Sequence, residues 1–214
     1  MKIHSLMSVA IVFSVIFFSQ NLFPNSSTNQ SKSQGKKDTG LIHLKLGGKG
    51  GVSLNSLQMN YGLTGDYLAA DGGFASELII GGNFLVEVDV MWQQRGGISK
   101  RGTRAINYLG IPVLMKAFHP FGKSGTGSVA PFISLGANYQ MLQDSHIGKN
   151  TDNDVKDSNV ALIIALGFSL QSPNNFMDFI FEWRYEQGIT DIGIRDVMRT
   201  RSHSYLFGFM LKLF

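Results

Sequence analysis

Beyond residue 41 the chain alternates. In residues 84–95, FLVEVDVMWQQR, one parity holds Phe84, Val86, Val88, Val90 and Trp92, and the other holds Glu87, Asp89, Met91, Gln93 and Arg95. Successive side chains of a strand point to opposite faces, so a strand separates the two sets, whereas a helix would scatter both around its circumference. Residues 176–186, FMDFIFEWRYE, repeat the pattern: Met177, Phe179, Phe181, Trp183 and Tyr185 lie opposite Asp178, Glu182, Arg184 and Glu186. In residues 159–170, Val160, Leu162, Ile164, Leu166, Phe168 and Leu170 oppose the small Ala161, Ala165, Gly167 and Ser169. The last segment groups Tyr205, Phe207, Phe209, Leu211 and Leu213.

This periodicity predicts eight strands, at 41–51, 73–81, 84–96, 104–117, 129–143, 158–171, 176–189 and 203–214. Several have the length needed to cross a bilayer at a tilt. The connections after strands two and six are short, that after strand four is an exception in length, and those after one, three, five and seven are mostly longer, as in barrels with short turns at one end and loops at the other. An even strand number places both ends of the barrel on the turn side. The expected fold class is therefore all-β: a closed, eight-stranded, antiparallel up-and-down transmembrane barrel.

The bulk of the rings decides which face meets lipid. Eight strands enclose only enough room for packed side chains. Trp92, Phe179, Phe181, Trp183, Phe207 and Phe209 are too many large rings for that interior, so they are expected outside, with Trp and Tyr near the strand ends as girdles. The inward set is then Lys45, Glu87, Asp89, Arg95, Lys116, Asp178, Glu182, Arg184 and Glu186. Charges removed from water need partners, so a salt-bridged, plugged interior is expected instead of an open pore. The competing reading, a soluble lipocalin-like barrel, requires every strand to face the other way.

Composition agrees. Hydrophobic residues make up 43% of the 214 and charged residues only 16%, with 25 Gly, 16 Phe and no Cys. The absence of cysteine excludes disulfides, thiol catalysis and lipid attachment at a cysteine. A net charge of +4, spread along the chain, shows no nucleic-acid-binding motif. At the N-terminus, Lys2 and His4 precede an apolar run at residues 6–18, the pattern of a secretory signal. Residues 1–24 are expected to be that signal, with an uncleaved anchor as the alternative. Residues 25–39 lack large apolar side chains and read as a flexible polar linker, and residues 40–214 as the barrel.

Several segments resemble the PorT-like outer-membrane β-barrel family, small barrels similar to the transmembrane part of OmpA. They are LIHLKLGGKGGVSLNSL, FLVEVDVMWQQRGG, YLGIPVLMK, APFISLGANYQM, FIFEWRYEQGITDI and the closing Phe214. The resemblance implies a bacterial outer-membrane location, handling by the barrel-assembly machinery during insertion, and no catalytic signature. Lys212 and Gly208 share the parity of Phe214, which departs from the usual apolar terminal pattern; Lys212 can snorkel. Pro112, within YLGIPVLMK, is expected to mark a bulge, because proline removes a ladder donor.

Candidate chemistry is sparse. Asp152, Asp154 and Asp157 do not make an EF-hand calcium loop, since the sixth and twelfth positions hold Asp157 and Ile163 where glycine and glutamate are required. Asp144, Ser145 and His146, with Asp196 and His203, could form an enzymatic rim, but adjacent strand residues face opposite ways. Lys100, Arg101, Arg104, Arg195, Arg199 and Arg201 gather near predicted loops, where guanidinium groups suit lipopolysaccharide phosphates. The leading expectation is a monomeric, non-enzymatic barrel with a structural or interaction role through its loops, and without cofactor or metal. A narrow channel or secretion accessory comes second, and a rim enzyme third.

Overall fold

The computed structural model describes residues 43–60, 62–81, 83–99, 102–121, 127–148, 150–151, 154–173 and 176–213. The expected signal and linker, Lys100, Arg101, Asp152 and Phe214 lie outside them. The strands are β1 (His43–Met59), β2 (Gly62–Leu63), β3 (Tyr67–Gly81), β4 (Phe84–Ser99), β5 (Gly102–Phe118), β6 (Ser128–Ile147), β7 (Asn150–Thr151), β8 (Ser158–Gln171), β9 (Met177–Gly188) and β10 (Met198–Lys212). β2 and β7 are two-residue extensions folded onto β1 and β6. The other eight pair antiparallel with their neighbours, and β10 returns to β1 from Lys45↔Lys212 to Met59↔Met198. The sheet is closed, so every long strand has a partner on both sides.

All eight expected strands are present, but several run further toward the loop end. β1 extends to Met59, β3 begins at Tyr67, β6 reaches Ile147 and β10 starts at Met198. These extensions, such as SLNSLQM in β1, have polar or small residues on both faces, so alternation fades there although pairing continues. The loops shrink accordingly. Ser99 pairs with Gly102, leaving residues 100–101 as the whole β4–β5 connection, while residues 119–127 join β5 to β6 at the turn end. The expected contrast between long loops and short turns is correspondingly weak. Gly102 closes the hairpin with φ 118°, a conformation that glycine alone adopts without strain.

Pro112 marks no bulge. The β4–β5 register is the same on both sides of it, Val88↔Val113 and Met91↔Gly110, and pairing is merely interrupted opposite the proline, which has no N–H to donate. The bulge in this region is in β6. Tyr108 pairs with Leu142 but Asn107 with Asp144, so an extra residue exchanges the two faces above it.

Outward positions are apolar down the strands: Phe74 is 79% exposed and Phe207 61%, with Leu135, Leu162, Trp92 and Phe179 also exposed. Glu87 and Asp89, on the inner side, are 0% exposed. The interior is not purely small and ionic, as alternation suggested. Phe132, Ile180, Met210 and Ala75 form an apolar layer toward the turn end, with Phe118 packed on it. Leu57, Ile106, Tyr108 and Met198 form another at the loop end, joined by Val155 and Ile192 from the loops. Individual rings thus fit inside where they pack with aliphatic neighbours.

Candidate functional site

The interior holds buried ion pairs in three groups: Lys45 with Asp178, a central cluster around Lys49, Lys116 and Arg184, and Arg95 with Asp71 and Glu186. Every one of the nine expected residues points into it and is buried. Lys45 pairs with Asp178 near the turn end. Lys116 pairs with Glu87 and, at 2.6 Å, with Glu77. Arg184 binds Glu182 through Nε at 2.7 Å and Asp89 through Nη2 at 3.0 Å, with Glu87 at 3.4 Å. Higher up, Arg95 Nη1 donates to Asp71 at 2.9 Å and its Nη2 lies 3.3 Å from Glu186.

Three members escaped the sequence reading: Lys49, Asp71 and Glu77. Lys49 is central, 2.5 Å from Glu87, 2.9 Å from Glu182 and 3.9 Å from Asp89. It shares the parity of Lys45 in a strand whose glycines blur the pattern. Asp71 precedes the expected start of its strand, and Glu77 lies opposite Phe74, Leu78 and Ile80 in parity. A lysine or carboxylate on the parity opposite large apolar residues was the signal available.

Among the described residues, five buried cations face seven buried carboxylates. Neutral donors supply what the cations do not. Glu186 accepts from Asn138 Nδ2 at 2.9 Å and Gln140 Nε2 at 2.7 Å, and Asp71 accepts from Ser204 Oγ at 2.9 Å. Asn159 Nδ2 and Thr200 continue the amide layer toward the mouth at 3.0 Å. Two cavities at the ends of the lumen hold about 40 Å³, beside Leu57, Arg104 and Asp154, and about 20 Å³, beside Lys45, Glu77, Lys116 and Phe132. Each has room for about one or two waters.

Two loops close the mouth. Val155, in residues 148–157, bridges Gly193, in residues 189–197. Lys156 N donates to Ile192 O at 2.7 Å, and Ile194 N to Asp154 O at 3.2 Å. Asp191 Oδ1 accepts from Met198 N at 2.8 Å and Gly193 N at 3.1 Å, and these backbone donors, led by Met198, hold its carboxyl below the usual range.

The four described basic rim residues, Arg104, Arg195, Arg199 and Arg201, do not form one patch. Arg104, expected to reach outward, has inward parity and extends across the mouth until Nη1 lies 2.9 Å from Met198 Sδ. Arg195 stands exposed on its loop, 4.0 Å from Asp154. Arg199 and Arg201 lie on the outward face of β10, Arg201 over the Tyr185 ring at 5.6 Å. The enzymatic grouping is not assembled either. Asp144 and His146 are exposed, 3.8 Å apart, while Ser145 is buried on the other face. His203 packs on Tyr185 and Trp183 on the outer wall. Among the described residues no group of three or more potential metal-ligating side chains occurs.

No family model matches this chain, and no curated protein matches it. Among solved structures, the outer membrane protein OprG from Pseudomonas aeruginosa is similar at 15% identity and TM-score 0.51, over 81% of this chain and 98% of that one. Neisserial surface protein A aligns at 12% identity and TM-score 0.49, over 79% and 97%. The N-terminal β-barrel domain of Pseudomonas aeruginosa OprF aligns at 10% and 0.41, over 78% and 99%. The likeness to OprG is one of fold, and with the closed register it makes this chain an eight-stranded antiparallel β-barrel of the kind seen in outer-membrane proteins.

Proposed function

We propose that this chain is an exported, monomeric, non-enzymatic protein of the bacterial outer membrane. Its role is structural or interactive, exercised at the loop end of a barrel that does not conduct. The observation carrying this reading is the inversion of polarity: apolar rings cover the outside, and ionic groups fill the inside. In water that arrangement would expose a continuous hydrocarbon-like belt. In a bilayer it satisfies every backbone group within a closed barrel and leaves the belt to lipid. The apolar run at residues 6–18 supports export, and the resemblance to PorT-like barrels supports the location.

Two features argue against conduction. The ion pairs cross the lumen in several directions, and the joined loops cover its mouth. Refolded protein in a planar bilayer should give no stable conductance steps. Reproducible steps would overturn the closed-lumen reading in favour of a narrow channel. Fractionation of cells followed by a heat-modifiability gel should find a compact, heat-shifted band with the outer membrane, and a band in the soluble fraction would overturn the location.

A further inference from the structure

The outer wall formed by β9, β10 and β1 is graded along its length. Descending from the loop end, the outward residues of β10 are Arg199, Arg201, His203, Tyr205, Phe207 and Phe209. Their β9 partners from Arg201 downward are Gln187, Tyr185, Trp183, Phe181 and Phe179. On β1, Gln58, Ser56, Leu54 and Val52 face the first four. Cations therefore give way to amphipathic rings and then to phenylalanine alone. Tyr and Trp settle at the headgroup level of a bilayer, which puts the two arginines level with lipid headgroups.

Neither arginine makes an ion pair among the described residues, and Arg201 Nε is buried without a hydrogen-bond partner. Asp191 lies within electrostatic range of Arg199, and Asp66 within range of His203. Tyr185, which hydrogen-bonds to Gln187 at 3.0 Å, supports the Arg201 guanidinium from one side. Two guanidinium groups on alternate residues of one strand face outward together and can each grip a phosphate through paired N–H donors.

We propose that Arg199 and Arg201, on the loop side of the Tyr185 and His203 rings, bind the phosphate of a phosphorylated lipid headgroup in the leaflet around the loop end. This inference rests on the lipid-facing orientation proposed above. Of the six basic residues gathered near the loops, it assigns the contact to these two.

Trp183 provides the readout, since its ring centroid lies 6.0 Å from that of His203 and the only other tryptophan is Trp92. In a Trp92→Phe background, detergent-refolded protein is titrated with lipid A, with dephosphorylated lipid A and with inorganic phosphate while Trp183 emission is followed. Lipid A should give a saturable change that weakens at least tenfold in Arg199→Gln/Arg201→Gln and less in Arg199→Lys/Arg201→Lys. Dephosphorylated lipid should give no saturable change. Equal affinity in the glutamine variant, equal affinity for dephosphorylated lipid, or inorganic phosphate binding as tightly as lipid A would each overturn the site. The compact heat-shifted band is scored on the same samples. Its absence from the unsubstituted protein would overturn the barrel reading itself, whereas its presence with unchanged binding would overturn only the site.

Discussion

Arg184 occupies the most crowded point of the interior, with Glu182, Asp89 and Glu87 all within 3.4 Å of its guanidinium. Because carboxylates outnumber cations inside, the two signs are not equivalent to mutation. Arg184→Met strips charge from the minority side and leaves carboxylates facing one another. Breaking a buried pair in this way costs about 3–5 kcal/mol. Glu77→Gln leaves Lys116 its bond to Glu87 and should cost less, about 1–3 kcal/mol. Denaturant midpoints in the same lipid would rank the two, and equal or reversed losses would contradict the charge count. At the mouth, Asp191 anchors its loop through Met198 N and Gly193 N. Its lowered carboxyl contributes to loop order above the unfolded value, roughly 3.9, and that contribution is lost as pH falls through the still lower folded value. The Met198 amide resonance should therefore titrate below the ordinary aspartate range and stop doing so in Asp191→Asn. A midpoint at or above that range would contradict the capping role.

Among the elements, the β1–β10 seam is where the sheet becomes a barrel. It is also rich in glycine: Gly47, Gly48, Gly50 and Gly51 stand opposite Met210, Phe209, Phe207 and Leu206. A side chain on Gly47 or Gly51 would run into the carbonyl oxygens of Phe209 or Tyr205. Glycine therefore permits a close approach that any β-carbon would push apart. Gly47→Val should cost about 1–3 kcal/mol through overpacking and reduce the heat-shifted fraction on refolding, whereas Val52→Ala, on the exposed outer face, should leave that fraction unchanged.

Strands with charge on one face and rings on the other, β4 and β9 above all, were readable because parity there admits a single answer. The nine ionic residues followed from the same parity. Lys49 escaped notice because glycines surround it, and Asp71 because its strand begins before the alternation does. The interior Phe132 and Tyr108 depend on which neighbours surround them across the barrel, which is set by register. The β6 bulge and the loop bridge Val155–Gly193 are likewise products of pairing between distant segments, and neither has a local signature.

At the level of the whole molecule, one inversion of polarity accounts for the closed sheet, the apolar wall and the ionic filling together. From His203 to Leu211 the outer wall of β10 spans roughly 27 Å along the strand, and a tilt near 40° brings this close to the apolar band of such barrels. The direct test of this arrangement is quenching of single tryptophans by lipids brominated on their acyl chains. Protein retaining only Trp92 and protein retaining only Trp183 should both be quenched, while Phe132→Trp in a background lacking both should not. Quenching of the residue-132 probe with Trp92 and Trp183 unaffected would place the rings inside and contradict the lipid-facing orientation.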